Sequence, residues 1–201
     1  ISEKGAGENS SELVLLNQIE ISIERCAKIF LVNIDEKIVT FLLQSPCHVF
    51  RLLFMTDLFI KAPESTFVKP ELLFMSIEHS LDSDDCIVAY AAFISLARLI
   101  LNQKVEQGFM QASIEKAVLF INQYDDDEND SIHQVIDGAL ISMAAFFSMF
   151  PENDVVGQIL PLWFKEMPIT YDSPDANIAY DLLIHFAAQK HPIILNPQSI
   201  A

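Results

Sequence analysis

The stretch from Ser131 to Phe150, SIHQVIDGALISMAAFFSMF, constrains the fold more than any other part of the chain. Ile132, Val135, Ile136, Ala139, Leu140, Met143, Phe147 and Phe150 recur at the i, i+3, i+4, i+7, i+8 spacing of a helix face. Ile141, Ala145, Phe146 and Met149 fall off that stripe and are apolar as well, so this helix needs packing partners on several sides at once. Asp130 and Ser131 offer capping chemistry at its start, and Pro151 stops it.

The same pattern recurs. Val88-Ala-Tyr-Ala-Ala-Phe-Ile-Ser-Leu-Ala stands 47 residues before Val135-Ile-Asp-Gly-Ala-Leu-Ile-Ser-Met-Ala, with Val, Ala, Ile, Ser and Ala identical at matching positions. Ile178-Ala-Tyr-Asp-Leu-Leu-Ile-His-Phe-Ala-Ala repeats it 43 residues downstream of Val135. A helical unit returning at roughly 40–47 residues marks a HEAT-type repeat, in which each hairpin buries its apolar face only by stacking on a neighbour. The expectation is an all-α fold, an α-α superhelix (HEAT-repeat solenoid) of about four helix hairpins plus a leading helix. A polar lead-in over 1–11 precedes the array over 12–201.

Periodicity and punctuation place the helices. A leading helix is expected from Glu12 to Phe30, then helices from Asp35 to Gln44, Val49 to Lys61 and Pro70 to Leu81. The turn Asp82-Ser-Asp-Asp85 leads into a helix ending about Asn102, followed by Glu106 to Gln123, Ser131 to Phe150, Val155 to Lys165 and Asn177 to Gln189. No strand pattern stands out.

Charge narrows the partners. Asp and Glu number 28 against 12 Lys and Arg, a net charge of −16. That opposes nucleic acid and anionic membranes, which need clustered cations, and suits a basic protein. Cys26, Cys47 and Cys86 form no CxxC pair, so a reducing compartment without a disulfide framework is expected. The longest uncharged run, Gly138 to Pro151, falls short of the ~20 residues a membrane-spanning helix needs. The chain opens at Ile1 without a signal-peptide pattern and closes at Ile200-Ala201 just as a new segment begins, as expected of a fragment of a longer protein.

Three helix-to-helix turns are acidic: Asp82, Asp84 and Asp85; Asp125, Asp126, Asp127, Glu128 and Asp130; and Asp172 with Asp175. Asp85, Asp130 and Asp175 recur at intervals of 45, so in a regular solenoid these acids line one rim. Asp57, Asp137 and Asp181, with His185, sit on the inner helices and would extend that surface inward. The competing explanation is helix capping, in which one acid per turn suffices. Asp125, Asp127 and Asn129 imitate the start of a calcium loop, but Asp130 replaces its glycine and Ile136 its final glutamate. The five histidines show no ligand spacing, and no cofactor motif, phosphate loop or nucleophile arrangement is present, so neither metal nor catalysis is expected.

Ile159-Leu-Pro-Leu-Trp-Phe-Lys-Glu-Met-Pro-Ile169, followed by His191-Pro-Ile-Ile-Leu-Asn-Pro197, resembles a signature of the importin-β (karyopherin-β) nuclear transport receptors. Phe54-Met-Thr-Asp-Leu-Phe-Ile-Lys-Ala-Pro-Glu-Ser65 is similar to an inner helix of the same cargo-carrying subgroup. The chain departs from that subgroup at Thr56-Asp57, near Ala89 where an Arg is missing, and at Asp181 and His185. The resemblance covers about Glu12 to Pro197 and implies a HEAT-repeat segment from the C-terminal half of such a receptor. It would shuttle between cytoplasm and nucleus through the nuclear pore, with basic protein cargo, Phe-Gly nucleoporins and, through repeats elsewhere, Ran GTPase as partners. The resemblance also makes Trp163 a candidate wall of a groove for phenylalanine side chains, against a plainer role in the core. The alternative is a HEAT-repeat scaffold or assembly adaptor with no part in transport.

Overall fold

The structure, a computed structural model, describes residues 36–62, 67–124, 129–171 and 173–191. Among them the regular elements are all helical: α1 (Glu36–Leu43), α2 (His48–Lys61), α3 (Pro70–Leu81), α4 (Cys86–Leu101), α5 (Gln107–Tyr124), α6 (Asp130–Met149), α7 (Asp154–Glu166), a 3-10 turn (Pro174–Ala176) and α8 (Asn177–Ala188). Each end falls within about one residue of the sequence expectation, inside the usual play of helix boundaries. The expected lead-in and leading helix lie outside the described residues.

The chain divides into two compact units, Ile1–Pro70 and Glu71–Ala201. In the first, Ser45-Pro46 separates α1 from α2, and Arg51 ties the turn by donating from Nη1 to the Ser45 carbonyl at 3.1 Å. Val39 of α1 and Phe50, Leu52, Phe54 and Leu58 of α2 are buried, with Phe50 and Phe54 stacked at 5.8 Å.

The second unit is built on α4 and α6. Residues Val135 to Phe147 of α6 are buried without a break, as are most of those from Ala89 to Ile100 in α4. Two helices apolar all round have only each other and their neighbours to hide against. They make the most extensive helix–helix contact among the described residues. Gly138 sets their separation: a Cβ there would stand 2.9 Å from Cδ2 of Tyr90 and 3.3 Å from Cβ of Phe93.

The remaining helices bury one face each. α3 hides Leu73, Ile77 and Leu81 and leaves Leu72 and Met75 exposed, while its Phe74 meets Phe109 of α5 at 5.1 Å. α5 buries Met110, Ile114, Ala117 and Ile121, and its Phe120 stands edge-on to Phe93 of α4. α8 packs on α6. Trp163 fixes α7 against α6: it is fully buried, its Nε1 donates to the Leu140 carbonyl at 2.9 Å, and its ring is edge-on to Phe147. Trp163 is therefore core and walls no open groove.

Two details differ from expectation. Asn129, not Asp130 or Ser131, is the cap of α6, its Oδ1 accepting from the Ser131 amide at 2.9 Å. Asn129 has the extended backbone a cap requires, whereas Asp130 already lies in the first helical turn. In addition, α6 alone among the described residues is long and apolar enough to cross a membrane by length and composition, although most of it is buried within this fold.

Candidate partner-binding surface

The acids singled out by sequence meet different fates, decided by what surrounds each one. In the α3–α4 turn, Asp82, Asp84 and Asp85 are exposed. Asp85 caps α4 by accepting from the Ile87 amide at 3.0 Å, and Asp82 pairs with Nζ of Lys116 at 2.6 Å. Asp84 faces solvent. At the start of α6, Asp130 is exposed, while Asp125, Asp126, Asp127 and Glu128 lie outside the described residues.

Asp57 and Asp137 are 5% and 3% exposed, so neither extends a binding surface inward as expected. Asp137 instead acts as a bracket. Its Oδ2 accepts from the Thr170 amide at 3.0 Å, the Thr170 hydroxyl at 2.9 Å and the Tyr171 amide at 2.6 Å. A carboxylate taken from water inside an apolar helix needs such donors, and the segment after α7 supplies them.

Asp175 is likewise withdrawn from the rim. Arg98 of α4 grips it with two hydrogen bonds, Nε to Oδ1 at 3.0 Å and Nη2 to Oδ2 at 2.8 Å, both side chains being only 17% exposed. Next to the first anchor Ile169 is buried, its carbonyl accepts from the Tyr180 hydroxyl at 2.9 Å, and Tyr171 stands edge-on to Tyr90 at 5.5 Å. Burial raises the Tyr90 phenol well above its usual pKa, with the nearby Asp175 carboxylate adding to that; a hydrogen bond to Ser173 works the other way. The segment from Met167 to Ala176 is thus fastened across α4 and α6 by two carboxylates that sequence spacing had assigned to a rim and an inner surface.

The sequence did carry a signal for this. Arg98 is the lone charge between Cys86 and Leu101, and Asp137 the lone one between Ser131 and Phe150. A single charge inside an apolar helix is costly unless it is paired, so each pointed to a partner elsewhere in the chain.

Asp181 keeps its place on the surface. It lies on α8 beside a cleft of about 450 Å³ formed with the C-terminal end of α6 and the turn after it. Phe147, Leu182 and Phe186 give this cleft an apolar lining, and Glu152, Asp181 and His185 give it a polar one. The surface acids available to a partner among the described residues of the predicted set are therefore Asp84, Asp85, Asp130 and Asp181. No group of three His, Cys, Asp or Glu able to hold a metal ion occurs among the described residues. No protein-family model, no curated protein and no solved structure matches this chain.

Proposed function

We propose that the chain is a helical-repeat segment of a nuclear transport receptor of the importin-β type, one that holds basic protein cargo. One observation carries the repeat reading. The three stretches related by sequence, beginning at Val88, Val135 and Ile178, are the helices α4, α6 and α8, and they pack in that order, α4 on α6 and α6 on α8. Stacked repeats require equivalent helices to lie side by side in chain order. The acidic balance of −16 and the exposed acids of α8 and of the α3–α4 turn support a cationic partner.

The second reading, a scaffold or assembly adaptor outside transport, draws on a different observation. The segment fastened by Asp137 and Asp175 lays the chain's own residues across α4 and α6, and Trp163 is sealed in the core rather than open to a phenylalanine side chain. Binding to immobilised Phe-Gly nucleoporin repeats, to a basic cargo domain and to GTP-loaded Ran separates the two. The transport reading expects the first two in the chain itself and Ran-dependent cargo release in cells. Cargo binding without any affinity for Phe-Gly repeats moves the protein to the scaffold class.

A further inference from the structure

We infer that the cleft between the end of α6 and α8 is a docking site for a cationic peptide segment bearing one large apolar side chain, on a partner protein. This holds for either reading above, and it concerns a site separate from the α3–α4 turn. The cleft has about 450 Å³, room for an aromatic or leucine side chain; half-buried Phe186 offers apolar surface for it, beside Phe147 and Leu182, which are almost wholly buried beneath.

Three features make the rest of the site suited to positive charge. Two carboxylates, Glu152 and Asp181, line the cleft, and no Lys or Arg among the described residues does. Glu152 and Asp181 are exposed, so a cation can reach them without either acid giving up all its water. The cleft also sits at the C-terminal end of α6, where unpaired carbonyls and the helix dipole concentrate negative potential. Pro151, four residues after Phe147, has no N–H to return to the Phe147 carbonyl. His185 and Gln189, 2.9 Å apart, bond to each other at the cleft's edge and hold the α8 side in place. An apolar floor beside two carboxylates, with no cationic side chain among the described lining residues, fits an apolar anchor flanked by lysine or arginine, and disfavours an acidic or purely apolar segment.

Fluorescence anisotropy of the whole chain with a labelled peptide carrying one Phe between lysines tests this. The affinity is expected to fall about tenfold when Glu152→Lys and Asp181→Lys are combined, and about as much when the peptide's Phe becomes Ala. A glutamate version of the peptide should gain affinity for the reversed protein. Ser148→Trp, an exposed position beside the cleft, blocks it with no change of charge and gives the same loss if the doubly reversed protein fails to fold. Unchanged binding in these variants overturns the proposal, as does a Phe-to-Ala peptide that binds as well as its parent. Loss of binding in Asp84→Lys but not in Asp181→Lys also overturns it, while leaving the broader reading of a basic partner standing. Binding that appears only as self-association of the chain would assign the cleft to a second copy and overturn the peptide reading.

Discussion

The α3–α4 turn and the segment from Met167 to Ala176 look alike in sequence and behave oppositely in the fold. Both are acidic connections between helices, and Asp85 and Asp175 fall two intervals of 45 apart. Yet Asp85 reaches only two residues along its own chain, to the Ile87 amide, whereas Asp175 reaches Arg98, 77 residues away. The first turn is capped locally by Asp85, its long-range tie is the exposed Asp82–Lys116 pair, and it keeps its charge in water. The second is a long-range clasp, fastened by its own Asp175 to Arg98 and by Asp137 of α6. An acidic loop therefore says nothing by itself about partners; the donors within reach decide whether its charge serves the fold or the surface.

If that contrast is right, the largest effect belongs to Asp137. Asp137→Ala leaves the Thr170 amide and hydroxyl and the Tyr171 amide without their acceptor at a part-buried point, where only the carboxylate side is sealed from water. Loss of charge-assisted hydrogen bonds at ~1.5–3 kcal/mol each, partly offset by water entering the site, gives a destabilisation of about 3 kcal/mol in denaturant titration. Asp137→Asn should cost about half as much, since one oxygen remains to accept. A change below about 1 kcal/mol for the alanine variant would show that the segment is held without the bracket.

The Arg98–Asp175 clasp comes next. It is only 17% exposed on both sides, between the surface pairs that contribute ~0–1 kcal/mol and the buried ones whose disruption costs ~3–5 kcal/mol. Arg98→Ala and Asp175→Ala are each expected to cost about 2 kcal/mol. The double variant should cost little more, a coupling of ~1–2 kcal/mol in a double-mutant cycle. Hydrogen exchange at Tyr171 to Ala176 should quicken in all three variants while the α6 amides stay protected. Additive losses would reduce the clasp to a chance encounter of charges.

How much of this could be read in advance depended on range. Helix ends were legible because caps, prolines and the 3.6 period act within a few residues: Pro70 and Leu81 bound α3 where the pattern placed them. The one misplaced cap, Asp130 for Asn129, is a choice between adjacent residues of equal capping talent, which sequence cannot rank. The bracket was not legible, since nothing in local spacing links Asp137 to Thr170 or Arg98 to Asp175. Only the isolation of Arg98 and Asp137 within apolar helices hinted at it. Helix spacing puts Asp181 with Asp57 and Asp137 on inner helices without fixing their rotation; of the three only Asp181 is exposed, and the cleft beside it arises from a turn and two helix faces that only the fold brings together.

Gly138 links the clasp to the core. Gly138→Ala gains about 1 kcal/mol of helix propensity but sets a methyl group 2.9 Å from the Tyr90 ring, against which Tyr171 rests, and 3.3 Å from Cβ of Phe93. Overpacking costs ~1–3 kcal/mol, so a net loss of about 1 kcal/mol is expected, accompanied by faster exchange at Tyr171. A stabilised variant would mean that α4 and α6 separate more easily than their burial suggests.

The α3–α4 turn should answer far more weakly, and it divides within itself. Asp85→Ala removes a cap and is expected to cost about 1 kcal/mol, because the Ile87 amide then turns to water. Asp84, one residue earlier, faces solvent and caps nothing, so Asp84→Asn should change stability by less than ~0.5 kcal/mol. The informative readout for Asp84 is the salt dependence of binding to a basic protein. An exposed acid that steers such a partner contributes mainly to the association rate, and that contribution fades as salt shortens the Debye length from roughly 10 Å at 0.1 M to 3 Å at 1 M. Slower association of Asp84→Asn at low salt, converging with the unaltered protein at high salt, makes this turn a steering surface. Identical rates at every salt concentration make Asp84 a solvated residue of a capping loop and shift the search for a partner surface to the other exposed acids of the predicted set, Asp85, Asp130 and Asp181.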